Sequence, residues 1–133
     1  MAEAFELKIK GMEVWVLEAG DDLQEGLDRM AAERKVAHGL VVSGFGSLST
    51  LSAGNPAGPE FPPPMQATTE KGPFEIVSIA GTIGEVAVKG DSLHGKVHVH
   101  LSVSAKDGRV LGGSLRPGSK VFWKAQVNVL ILD

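Results

Sequence analysis

The sequence has no cysteine among its 133 residues. Structural disulfides and thiolate metal sites are therefore excluded, and a reducing compartment suits the chain. Basic charge is not in excess. Thirteen Lys and Arg stand against sixteen Asp and Glu, a net charge of −3, and Arg34-Lys35 is the only adjacent basic pair. A domain that holds DNA mainly through phosphates is usually basic, so this charge argues against strong, sequence-independent DNA binding. No apolar run approaches the roughly 20 residues that span a bilayer. The opening Met1-Ala2-Glu3-Ala4 is acidic, unlike a signal peptide. The expected setting is the cytoplasm, with no membrane partner. Motifs of hydrolytic catalysis and nucleotide binding are missing as well: there is no GxSxG, HExxH, GxGxxG or GK[ST]. The residues thus point away from an enzyme.

What is present centres on Val97 to Leu115, reading VHVHLSVSAKDGRVLGGSL. Val97, Val99, Leu101, Val103 and Ala105 alternate with His98, His100, Ser102 and Ser104. This pattern predicts a half-buried strand with one apolar and one polar face. His98 and His100, at i and i+2, project from the same face. A turn follows at Lys106-Asp107-Gly108. A two-residue loop would set Ser114 opposite Leu101. A three-residue loop, with Gly108 left-handed, sets Ser114 opposite His100 and Leu111 opposite Val103. Only the second register pairs polar with polar, and a one-residue slip would turn the strand inside out. His98, His100 and Ser114 then form one polar cluster. Gly112, opposite Ser102, leaves room beside it, and Gly112-Gly113 admits a ligand or another backbone.

Elsewhere, Phe5 to Ile9 and Glu13 to Leu17 read as strands joined in a hairpin at Gly11-Met12. Asp22 starts a helix, about residues 22–34, with Glu25 in capping-box spacing and Leu23, Leu27, Met30 and Ala31 as its apolar stripe. Gly39 to Ser49 is a strand entering a glycine-spaced bend. Residues 53–72 hold five prolines and read as a loop or interface arm, on which Phe61 and Met65 could dock against a partner. Gly72 to Ile83 reads as a buried strand. Val86 to Val88 could add a short strand before a Gly90-Asp91 turn. Val121 to Leu132 closes the chain, apolar on both faces at its ends. Many strands and one helix give a single α+β domain over residues 1–133, an antiparallel sheet packed with that helix.

Three segments, SGFGSL, GPFEIVSIAG and HVHLSVSAKDGRVLGGS, together resemble the PPC (plants and prokaryotes conserved) domain from about Phe5 to Leu132. The resemblance implies a homotrimer and a stand-alone prokaryotic type. Such relatives are called DNA-binding by analogy with plant proteins that carry separate AT-hooks, and no AT-hook stands here. It also places the SGFGSL bend near the pocket, which makes Ser43 and Ser47 candidate lining residues. Many prokaryotic members carry a third histidine after the paired glycines, where this chain has Ser114. His98 and His100 are then candidate zinc ligands lacking their third arm, unless His94 or a neighbouring subunit supplies it. The expected function is a homotrimeric DNA-binding or regulatory module. The alternative is a small-ligand- or metal-binding trimer, which could be an enzyme, with a site around His98 and His100 that includes Ser102, Gly112, Gly113 and Ser114, with Ser43 and Ser47 beside it.

Overall fold

The computed structural model describes residues 2–87 and 96–133. The elements run β1 (Ile9–Glu18), α1 (Leu23–Glu33), β2 (Gly39–Pro56), β3 (Met65–Ile83), β4 (Val97–Ser104), β5 (Val110–Leu115) and β6 (Val121–Leu132). They build one antiparallel sheet of order β1-β6-β2-β3-β4-β5, and β5 returns to pair with β2 through Ala53–Leu115 and Gly54–Ser114. The β2-β3-β4-β5 part is therefore closed, while β1 remains an open edge. This is the α+β arrangement expected. No helix among the described residues is long and apolar enough to cross a membrane. The expected strand at Val86 to Val88 and the Gly90-Asp91 turn reach beyond the described residues, as does His94.

Alternation decides what faces the core. Trp15 and Leu17 of β1, Val97, Val99, Leu101 and Val103 of β4, and Ala125, Val127 and Val129 of β6 are buried together. The stripe Leu23, Leu27 and Ala31 of α1 closes over them, with Met30 at its border. Asp22 caps α1 by accepting from the Glu25 backbone N–H at 3.0 Å. It also accepts from the Gly118 N–H at 2.7 Å, so one carboxylate joins the helix start to the β5–β6 turn. Gln24 donates to the Val97 carbonyl at 2.8 Å and Asp28 accepts from the Val97 N–H at 2.9 Å. These bonds use up the backbone groups at the start of β4 and fix α1 against it.

Three expectations are corrected, and one alternation is broken. Residues 5–17 do not form a hairpin: β1 passes through Gly11-Met12 without turning and pairs with β6 at the other end of the chain. Gly11 marks a register irregularity rather than a turn, because β6 offers a longer apolar partner. Residues 53–72 are mostly strand. Paired residues from Thr50–Lys71 to Pro56–Met65 make a two-stranded arm, and the prolines gather at its tip and ends, where no ladder N–H is needed. Gly72 to Ile83 is buried on one face only. A bulge at Val77 shifts the inward phase from Phe74 and Ile76 to Ile79 and Ile83 and leaves Val77 exposed. Trp123, which shares its alternation with Val121 and Ala125, is instead 74% exposed. Between Leu48–Val121 and Gly46–Ala125, β6 spends three residues where β2 spends one, and the extra length swings the indole outward.

The β4–β5 hairpin follows the three-residue register. His100 pairs with Ser114, Ser102 with Gly112 and Val103 with Leu111. Gly108 has φ +86°, and a Cβ there would meet nothing within 4 Å. The cost of a side chain is therefore purely conformational. Gly108→Val is expected to lower unfolding free energy in urea by at least about 1–2 kcal/mol, and Gly108→Asn by less, since Asn tolerates this region.

At the far end of α1, Arg34 donates through Nε and Nη2 to the two carboxylate oxygens of Glu13, at 3.1 and 3.0 Å. Trp15 Nε1 adds a third bond at 2.9 Å. These bonds, Arg34's first, hold the Glu13 carboxyl at about 2 against an ordinary 4.5. A carboxyl depressed on folding stabilises the fold above its unfolded value, and that contribution fades as pH falls from about 4.5 towards 2. Arg34→Gln should bring the Glu13 titration, followed by carboxyl NMR shifts, back up towards 4.5 and flatten the loss of stability across that window.

Candidate functional site

The polar face of β4 looks outward. His98, His100, Ser102 and Ser104 alternate with the buried valines and Leu101. The His98 and His100 rings meet edge-on, 5.3 Å between centroids. Across β3 their row neighbours are Thr82 and Ala80, and Ser102 stands opposite Ser78. The Ser78 and Ser102 hydroxyls share a hydrogen bond of 2.8 Å, which occupies Ser102. An open groove of roughly 380 Å³ runs along this face, lined by Ser78, Ala80, His100, Ser102 and Gly113 among others. The small Ala80 and the side-chain-free Gly113 make the floor.

Ser114 takes its expected place beside His100 but is not the open hydroxyl the pattern suggests. It is 7% exposed, and its Oγ is buried without a hydrogen-bond partner. Arg116 comes close by. Two residues on from Ser114, it points from the same face, and its guanidinium lies over Gly54, the β2 neighbour of Ser114. The paired glycines do admit something closely. Asn55 leans over Gly113 and donates from Nδ2 to the Gly112 carbonyl at 2.8 Å. Arg116, Gly54 and Asn55 were not singled out in the sequence. For Arg116 the period-two spacing from Ser114 was the available signal; for the β2 pair there was none, because the contact spans about sixty residues of chain.

Ser43 and Ser47 are not brought to the histidines. Both lie on β2, which β3 separates from β4. The Ser43 hydroxyl accepts from Asn128 Nδ2 at 2.8 Å. The Ser47 hydroxyl accepts from the Trp123 N–H at 3.2 Å and so pins the β6 bulge.

The donor set does not fit zinc. Two imidazoles and a neutral hydroxyl fall short of the three good protein ligands that such a site needs. Among the described residues no group of three or more His, Cys, Asp or Glu is placed to hold a metal ion.

A partly closed antiparallel sheet, one helix over its inner face and a His-x-His strand on its outer face define a small α+β domain built to present a surface. The chain belongs to the Plants and Prokaryotes Conserved (PCC) domain family, whose model matches residues 7–133. A curated relative, the bifunctional protein GlmU of a Synechococcus strain, is 30% identical over 109 residues, 81% of this chain. The chain spans only 15% of that protein's length. Among solved structures, the metal-containing protein AF0104 of Archaeoglobus fulgidus matches with a TM-score of 0.79 and 24% identity, over 99% of this chain and 86% of that one. A plant- and prokaryote-conserved protein of Pyrococcus horikoshii matches with a TM-score of 0.79 and 19% identity, over 99% and 85%. A protein of Bacteroides thetaiotaomicron whose name assigns it a proposed DNA-binding role matches with a TM-score of 0.70 and 20% identity, over 94% and 80%. At such identities the likeness establishes the fold.

A calorimetric zinc titration tests the ligand count. The natural protein should bind zinc weakly, since only two imidazoles are on offer. Ser114→His must compete with the Arg116 side chain for space. The paired change Ser114→His with Arg116→Ala should therefore tighten zinc binding further than Ser114→His alone. Equal affinity in all three proteins would mean that position 114 does not reach the histidines.

Proposed function

We propose that this chain works as a homotrimeric binding module. The observation that carries this reading is the outer face of β1, β6 and β2. Rows Met12–Leu130–Leu40, Val14–Asn128–Ser43 and Val16–Gln126–Phe45 cross it, and Met12, Val14, Val16, Val42, Phe45 and Trp123 stand exposed on or beside it. A monomer rarely leaves so many large apolar side chains on one sheet face in water, although Ser43, Gln126 and Asn128 form a polar line among them. Further copies of the chain are its simplest cover, and Phe61 and Met65 at the end of the β2–β3 arm are exposed apolar residues as well. The family resemblance supports three copies.

DNA is the first ligand to test, by analogy with the relative named for that role. With a net charge of −3, binding would rest on few phosphate contacts and show a shallow salt slope. A second reading, a small-ligand site on the β4–β5 face, is favoured by the His98–His100–Ser114 row and its groove.

Light scattering at micromolar concentration should give a trimer mass. Val14→Asp with Phe45→Ser, both at exposed positions, should give a folded monomer. A natural chain that runs as a monomer overturns the trimer. A fluorescent duplex titrated at two salt concentrations decides the DNA reading: saturable binding that weakens with salt supports it, and none at low salt removes it.

A further inference from the structure

The β4–β5 face holds a buried inconsistency. Arg116 Nε and Ser114 Oγ are both shielded from solvent and neither has a hydrogen-bond partner. Among the described residues no carboxylate lies within ion-pair distance of Arg116. Arg116 as a whole is half-buried, but its shielded Nε–H has no acceptor, which is costly, and so is the buried Ser114 hydroxyl left unpaired. Two such groups on one face mark a place where a ligand completes the hydrogen bonding.

The surrounding structure holds them there. His100, Ser114 and Gly54 form one row across β4, β5 and β2, so their outward directions coincide. Gly54 has no side chain, and the guanidinium fills the gap: Nη2 and Cζ of Arg116 lie 2.7 and 3.0 Å from where a Cβ would stand. The Arg116 backbone is anchored as well. Its N–H donates to the Ser52 carbonyl at 3.0 Å. Ser119, wholly buried, accepts from the Ser52 N–H at 2.8 Å and donates to the Ser52 carbonyl at 3.0 Å. The turn that carries Arg116 is thus stapled to β2, so the root of its side chain is fixed before any ligand arrives.

We propose that Arg116, Ser114 and His100 form a binding site for a small oxyanion, the carboxylate or phosphate end of a ligand lying in the β4 groove. A planar guanidinium presents its N–H groups in the geometry such an anion accepts. The Ser114 hydroxyl donates from beneath, and the exposed His100 imidazole donates from the far side of the row. In place of three ligands around a metal, this face offers three donors around a negative charge. The assignment rests on reading the β4–β5 face as a ligand face.

The test uses the whole, isotopically labelled protein at constant ionic strength, titrated separately with inorganic phosphate and with acetate. Side-chain signals of Arg116 Nε–H and of the His98 and His100 rings are followed, with calorimetry alongside. Saturable shifts of Arg116 and His100 together are expected, and the anion that produces them identifies phosphate or carboxylate chemistry. Arg116→Gln should weaken binding by about tenfold or more and Ser114→Ala by a smaller factor. If the histidine signals move while Arg116 does not, the ligand face stands and the oxyanion site is wrong. If no signal responds to either anion, both fall. The titration of the natural protein decides this even if a variant does not fold.

Discussion

One strand has to satisfy three neighbours. β2 pairs with β3 along nearly its whole length, with β6 over its first half and with β5 near its far end. A straight strand of 18 residues would run on past the 12 residues of β6 and leave β5 as a second unpaired edge. The bend between Gly46 and Thr50, where both ladders slip, lets the same backbone change partner. Closure follows from it. So does the outer-face row in which Gly54 meets Ser114, and with it the seat of Arg116.

The two halves of the outer surface have different chemistry because β2 divides them. On the β1–β6 side large apolar side chains such as Met12, Val14, Val16 and Phe45 stand outward around Ser43, Gln126 and Asn128. Around the groove on the β3–β4–β5 side the outward positions are histidine, serine, alanine and glycine, which leave space and a supply of donors. On the proposed reading, assembly and ligand capture would use separate areas of one sheet, and a change in one need not disturb the other.

How much could be read from the residues depended on distance along the chain. The β4–β5 hairpin was legible to the residue, since matching polar to polar over a three-residue turn leaves one register. The helix was legible because Asp22 and Glu25 mark its start and four apolar residues its stripe. The partners of β1 and of the far end of β2 were not, because β1 has equal periodic match to a local hairpin and to β6. Bulges at Val77 and Trp123 broke the alternation where no glycine or proline announced it. The family motifs directed attention to His98, His100 and the position of Ser114, and the substitution there was visible at once. The role of Arg116 was hidden, since its significance lies in Gly54, a residue from another part of the fold.

The β6 bulge has a practical consequence. It divides the chain's two tryptophans between opposite environments: Trp15 is 1% exposed and donates to Glu13, while Trp123 is 74% exposed beside Lys124. Their fluorescence should separate by wavelength. The blue component reports on the interior, and the red, quenchable one reports on whatever comes to rest against the outer face. With either indole replaced by phenylalanine, the other becomes a single-site optical probe, so that folding and surface contact can be timed independently in one cuvette.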